Sequence, residues 1–336
     1  MKKKYWQLLF ATTFVFGCAW AVKQHAQTVY RQDSGNVFGT VYHITYQSDR
    51  DLKDSILTEL GKVDNSLSMF NPNSVISRIN RNEPVVPDSM FKTVFCLAEQ
   101  VSNNTGGAFD ITVSPLVNLW GFGFKKKDSV TKEKVDSLMP LVGYRKVALK
   151  DGHIVKSDPR MMLDCSAIAK GFGSDCVARL LDRHGISNYM VEIGGEIVIK
   201  GKNQEGENWR IGVVKPTDNR SSDGEEISAI LDLSNIGMAT SGNYRNFYYK
   251  GGKKYAHTID PHTGYPVQHS ILSSTVIAKD CATADAYATS FMVLGLQKAK
   301  KVLKRHPELE AYFIYSDKNG KNTVWCSPRL QSKIQK

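Results

Sequence analysis

From Tyr189 onward the chain reads as strand after strand with little but turn residues between. The runs are YMVEIGGEIVIKG, WRIGVV, ISAILDLS, YRNFYY and STVIAK, with AYFIYS and NTVWCS near the end. Stretches rich in β-branched and aromatic residues, separated by such short breaks, form hairpins, and hairpins are antiparallel. KGGK and DKNGKN mark two further turns. Upstream, VALKDGHIVK carries Asp151-Gly152 at a hairpin turn, and NVFGTVYHITYQ (36–47) alternates as one strand. Helical periodicity is confined to a few segments. Leu52, Ile56, Leu60, Val63 and Leu67 mark one helix. Asp88 caps a second, through Phe91, Val94, Phe95, Ala98 and Val101, that stops at NNTGG. A third starts in DCSAIAKGFGSD and runs to His184-Gly185, and a long fourth spans about Ala282 to Lys304. This order predicts an α+β fold with mostly antiparallel sheets packed with helices, not a doubly wound sheet. No low-complexity linker divides the chain, so two lobes are expected to pack closely about a soft boundary near residue 160.

The first residues stand apart. MKKKYWQLLFATTFVFGCAW has three lysines, an apolar run and then Gly17-Cys18. This is the layout of a signal peptide, with a small residue before the cut. Residues 1–17 are read as a leader of lipoprotein type, Cys18 as the lipidated first residue, 18–34 as a tether, 35–330 as the folded domain and 331–336 as a tail. An uncleaved N-terminal anchor is the alternative, and both place the body outside the cytoplasm at a membrane.

The formal charge of +11 is spread along the chain, without a basic block or a repeated aromatic–basic pattern. That argues against nucleic acid and is compatible with a small anionic ligand. Six cysteines occur without a CxxC pair, so neither a zinc site nor a disulfide framework is implied. Cys165 and Cys176 read as small apolar fillers.

Lys170 poses the chemical question. It stands beside Gly171-Phe172-Gly173, yet lacks the preceding glycine and following Ser or Thr of a Walker phosphate loop. Four other stretches are similarly rich in glycine and small polar residues: GGAFDITVSPLVNLWGFG, VEIGGEIVIKG, ATSGNYRNF and HTIDPHTGYP. Each has a structural reading. VEIGGE reads also as a hairpin turn, DPHTGYP as a Pro-initiated turn, Asp110 as a cap on local backbone and Lys170 as a solvated helix lysine.

Taken in order, FDITVSPLVNLWGFG, DCSAIAKGFGSD, EIGGEIVIKG, TSGNYRNF, HTIDPHTGYP and TADAYATSFMVLG resemble the ApbE family, the FAD:protein FMN transferases, over about residues 35 to 330. The resemblance implies a fold with an FAD cleft between two lobes. It implies an enzyme that moves FMN from FAD onto a Thr or Ser hydroxyl of another protein, with magnesium, and releases AMP. The implied acceptors are flavoprotein subunits of membrane electron-transport complexes of the Rnf and sodium-pumping NADH:quinone oxidoreductase kind.

It also assigns residues. FAD contacts are implied at Asp164 and Lys170, at Ala108, Phe109 and Asp110 on the adenine side, and at Ile259. Phe38 and Phe70 stand where the family usually has methionine and tyrosine. Metal is implied at the Ala167 carbonyl, Asp285 and Thr289. The last two are four apart on one helix face, and an all-oxygen set suits magnesium or calcium rather than zinc. Their structural reading is a capping Asp285 and a Thr289 satisfied on its own helix. Lys170 supplies a point charge suited to a diphosphate. His257 is the candidate general base, or else a turn-stabilising histidine, with Asp260 orienting it or serving the turn. Two alternatives remain: a metal-dependent FAD pyrophosphatase, and a lipoprotein that binds FAD without reacting.

Overall fold

The structure is a computed structural model that describes residues 29–123, 129–216, 226–243, 247–250, 253–268 and 270–335. The expected leader, Cys18 and most of the tether lie outside these residues. So do 244–246 of the expected YRNFYY strand and the two glycines of KGGK.

Strands β1 (Tyr30–Val37) and β2 (Thr40–Gln47) open the fold. Helices α1 (Lys53–Leu67), α2 (Val75–Asn80) and α3 (Ser89–Thr105) follow, then the short α4 (Ser114–Leu119) and α5 (Lys132–Leu138). A small hairpin, β3 (Val147–Lys150) with β4 (His153–Lys156), precedes α6 (Ser166–Arg183). Next come β5 (Tyr189–Ile193), β6 (Glu196–Lys200), β7 (Trp209–Val214), β8 (Ile227–Leu233) and β9 (Ile236–Gly242). After β10 (Phe247–Lys250), β11 (Lys253–Ala256) and β12 (Ile271–Ala278), the chain forms α7 (Cys281–Arg305), β13 (Glu310–Ser316), β14 (Asn322–Cys326) and α8 (Pro328–Gln331).

One eight-stranded sheet, in the order β1-β2-β5-β6-β9-β12-β13-β14, is antiparallel at every pairing. It takes two strands from before residue 160 and six from after it. Helices cover one face. Val276, Ala278, Ala239 and Phe313 of the sheet meet Ile168 and Phe172 of α6, Phe291 of α7 and Phe95 of α3 there. The β7–β8 hairpin covers the other face, where Ile211 and Leu231 pack on Met238, Ile277 and Ile314. The expected α+β, antiparallel class is the one observed.

Several expectations shift. The stretch 36–47 is not one strand but a hairpin that turns at Phe38-Gly39, with φ of 51° and 73°. Strand β1 starts at Tyr30, within the stretch expected as tether. Residues 333–335, expected as a tail, bond to β8: Lys333 O accepts from Asp232 N–H at 2.8 Å, and Gln335 N–H donates to Ile230 O at 2.9 Å. β9, expected only as a glycine-rich stretch, is a central strand, where small residues admit α7 closely. The long helix spans Cys281–Arg305 but breaks its helical dihedrals at Gly295 (φ 71°, ψ 167°). Asp88 caps α3 as expected, accepting from Phe91 N–H at 2.8 Å, and Gly106 ends that helix in the left-handed region. The five cysteines among the described residues are unbridged, and Cys165 and Cys176 are buried.

Candidate active site

The site forms where α6 crosses the first turns of α7. Asp280 caps α7 by accepting from Thr283 N–H at 2.8 Å. Asp175, reaching across from α6, accepts from Cys281 N–H (2.8 Å) and Ala282 N–H (2.9 Å). Carboxylates suit this end of a helix because its unpaired N–H groups carry partial positive charge. Burial nevertheless raises the pKa of Asp175 to about 7, against the pull of those two hydrogen bonds.

This crossing sets Lys170 and Gly171 beside Asp285, one turn into α7. Gly171 N–H donates to Asp285 Oδ2 at 3.2 Å. In a regular helix that same N–H is the partner of the Ala167 carbonyl. Lys170 Nζ lies 2.5 Å from Glu196 Oε2; the lysine side chain is 31% exposed and the glutamate only 3%. Burial pulls the Lys170 pKa down, but Asp285 and Glu196 together outweigh it, so the ammonium is favoured. Burial raises the Asp285 pKa, opposed by Lys170 and the Gly171 N–H. Glu196 thus pairs with the partly exposed ammonium, which the buried Asp285 also favours through its charge.

Thr289, the next turn along α7, bears on the two readings of the Asp285/Thr289 pair. Its neighbour Ser290 bonds back to the helix, donating to Ala286 O at 2.7 Å. Thr289 does not. Its only hydrogen bond among the described residues is a 3.0 Å contact with Ser241 Oγ on β9. The hydroxyl is therefore turned off its own helix, and Asp280 rather than Asp285 is the cap. Among the described residues no group of three or more His, Cys, Asp or Glu could hold a metal. A cation here would rest on one carboxylate with hydroxyl and carbonyl oxygens. The surplus buried negative charge and the outward Thr289 fit a hard divalent cation.

Of the implied adenine-side residues, Ala108 lies farther along α7. Ala108 packs with Val267 and with Val293 of α7, two turns beyond Asp285. Ile111 O accepts from Asp164 N–H at 2.7 Å, which draws Asp164 to the same segment. Asp164 itself sits just before α6 and accepts from Ser166 N–H at 2.7 Å; burial raises its pKa against that bond. Asp110 shows the local role. Its Oδ1 accepts from Thr112 N–H (2.8 Å) and hydroxyl (2.6 Å), and its Oδ2 from Tyr144 N–H (2.8 Å). Phe109 is buried in the main core. Phe38, at the β1–β2 turn, lies over α6, where a β-carbon on Gly173 would sit 2.8 Å from its ring. Phe70 is 72% exposed after α1, a large apolar ring left in solvent.

His257 follows β11 with its ring edge-on to Phe122, centroids 6.4 Å apart. Next to it, Thr258 Oγ1 donates to Asn243 Oδ1 at 2.9 Å, which ties the histidine segment to the end of β9, two residues past Ser241. Ile259 is buried with Leu116, Leu119 and Trp120, in a cluster separate from Asp285. Asp260 does not orient His257 through any described bond. It accepts instead from His262 N–H at 2.9 Å and faces His262 Nδ1 at 3.0 Å, while His262 Nε2 donates to Gly106 O at 2.9 Å. The 258–267 turn is thereby pinned across the end of α3.

Three residues escaped the sequence reading. Glu196 carries no signal of its own inside VEIGGEIVIKG, because its partner is 26 positions earlier on another element. Asp175 and Ser241 gave no signal beyond lying within two of the glycine-rich stretches.

Residues 38–313 match the ApbE family. A Haemophilus influenzae protein named FAD:protein FMN transferase is 40% identical over 305 residues, 85% of this chain and 87% of its own. A Vibrio cholerae protein of the same name is 39% identical over 280 residues, covering 80% and 83%. Among solved structures, the flavin transferase ApbE of Vibrio cholerae superposes with a TM-score of 0.81 at 34% identity, over 91% of this chain and 99% of that one. The flavinyl transferase ApbE of Pseudomonas stutzeri gives 0.81 at 28% identity, over 91% and 97%. With a match across most of its folded residues, and a cluster at Lys170 and Asp285 built from the matching motifs, the chain belongs to the ApbE family.

Proposed function

We propose that this chain is an FAD:protein FMN transferase, which moves FMN from FAD to a Ser or Thr hydroxyl of another protein and releases AMP. The observation that carries the reading is the buried Asp285 beside a single ammonium, Lys170, in a chain whose relatives bear that name. Asp285, Thr289 and the Ala167 carbonyl would hold a divalent cation, magnesium or calcium. When bound, it supplies charge neutralisation at the phosphate oxygens. Lys170 adds a fixed positive charge there, kept protonated by its two carboxylate neighbours. His257 takes the proton of the acceptor hydroxyl as that oxygen bonds to the FMN phosphorus. The bond between phosphorus and the AMP oxygen breaks, and its electron pair leaves with AMP. Toward the adenine end, the buried cluster of Ala108, Val267 and Val293 would back the ligand.

The test is to incubate the purified chain with FAD, magnesium and an acceptor flavoprotein domain. The expected result is an FMN-sized mass increase on the acceptor with one AMP released per adduct. FMN and AMP without an adduct would mark a pyrophosphatase, and unchanged bound FAD a carrier. For the acceptor we favour flavoprotein subunits of membrane electron-transport complexes of the Rnf and sodium-pumping type. The support is the N-terminal sequence, whose lysines, apolar run and Gly17-Cys18 have the layout of a lipoprotein leader, which would carry the enzyme outside the cytoplasm on a lipid anchor. Cys18→Ser is expected to abolish lipid attachment, read by mass analysis of the membrane fraction.

A further inference from the structure

Thr289 and Ser241 do not stand alone. Ser241 on β9 is directly paired in register with Ser274 on β12. Directly opposed residues of adjacent antiparallel strands point to the same face, with β-carbons about 4.5–5.5 Å apart. Ser241 faces α7, since it meets Thr289, so Ser274 faces α7 as well. Ser274 is completely buried, and its Oγ has no hydrogen-bond partner among the described residues. A hydroxyl left unpaired in a core costs about 1–3 kcal/mol. On the opposite face Thr240 and Thr275 satisfy each other at 2.8 Å, and the buried Ser273 Oγ there is, like Ser274 Oγ, unpartnered among the described residues. The α7 face thus holds three hydroxyls and one hydrogen bond.

We infer that Ser241 and Ser274 are positioning residues for the cation at Asp285, a relay that fixes which way the Thr289 proton points. The inference rests on the cation reading given above. A hydroxyl that turns a lone pair to a cation keeps its proton only as a donor, and Ser241 Oγ is the acceptor within reach of Thr289. Once Ser241 accepts, its own proton needs an acceptor in turn. Ser274 Oγ, in register and unsatisfied, is the one provided. In this relay a bound cation favours the Thr289-to-Ser241 direction, and Ser274 Oγ takes the Ser241 proton. Outer partners of metal ligands are commonly worth about 10–100-fold in affinity.

The experiment is calorimetric titration of magnesium into the purified chain, with and without saturating FAD, beside thermal unfolding at zero and saturating metal. Ser241→Ala is expected to weaken metal binding by about 10–100-fold, while Ser241→Thr, which keeps the hydroxyl, restores it. Ser274→Ala carries the sharper signature. Removing an orphaned hydroxyl should leave the metal-free melting temperature unchanged or higher, yet shrink the rise caused by metal. Metal binding within twofold of wild type in both alanine variants would overturn the relay while leaving the cation reading intact. A wild-type chain that binds no divalent cation, with or without FAD, would overturn both.

Discussion

Gly171 approaches Cys281 so closely that a β-carbon on the glycine would lie 2.5 Å from the Cys281 carbonyl oxygen and 2.7 Å from its carbonyl carbon. The obstacle is backbone, so it cannot rotate away. Gly171→Ala is expected to push α6 from α7, cost about 1–3 kcal/mol of stability by overpacking, and draw Lys170 away from Asp285. Gly61→Ala on α1 is the control. Nothing lies within 4 Å of its β-carbon, and the change should be neutral or stabilising by up to about 1 kcal/mol. Melting curves and metal titration of the two variants check this.

Lys170 and Glu196 allow structure and chemistry to be separated. Lys170→Met leaves a buried carboxylate without its ammonium. The loss is expected below the roughly 3–5 kcal/mol of a fully buried pair, because the lysine is partly solvated. Adding Glu196→Gln should recover most of the stability. FAD affinity, measured by flavin fluorescence, should stay low in the double variant, since the charge facing the diphosphate is still missing. Recovery of FAD binding along with stability would show that Lys170 serves only the fold.

Asp175 makes stability depend on pH. Its pKa rises from 3.8 to about 7 on folding. In that window the native state therefore binds more protons than the unfolded chain, and stability falls as pH rises. The contribution is fully present below the unfolded value and lost through the folded one. Asp175→Asn keeps an acceptor for the α7 amides and cannot ionise. Melting temperature against pH should thus be flatter in the variant between about pH 4 and 7.

His257→Ala is expected to slow transfer by about 10²–10⁴-fold, the usual contribution of a positioned general base, with little change in FAD affinity. Single-turnover transfer at saturating FAD, run beside an FAD titration, separates the two effects. Poor FAD binding with a normal saturated rate would assign His257 to the 258–267 turn instead.

Features written locally were legible in the sequence. The Asp88 cap, the Asp151-Gly152 turn and the four-residue spacing of Asp285 and Thr289 each depend on neighbours within one element. The turn at Phe38 was hidden because phenylalanine rarely takes a positive φ and the alternation runs unbroken through it. Glu196 was hidden because burial of its charge depends on a lysine from another element. The direction of the Thr289 hydroxyl depends on a serine 48 positions away, on a strand that glycine and small residues disguised. Long-range pairing, rather than weak local signal, set the limit.

Asp285, Thr289 and Val293 lie at intervals of four on the part of α7 that precedes the break at Gly295. Asp285, beside Gly171, and Val293, packed on Ala108, are therefore spaced by one uninterrupted helix, about 12 Å over eight residues. Such a helix works as a ruler. Loops around the site can lengthen without altering that span, but a single residue inserted between Thr289 and Val293 would turn Val293 about 100° off the line. Each half would persist, aimed at a ligand it could no longer share.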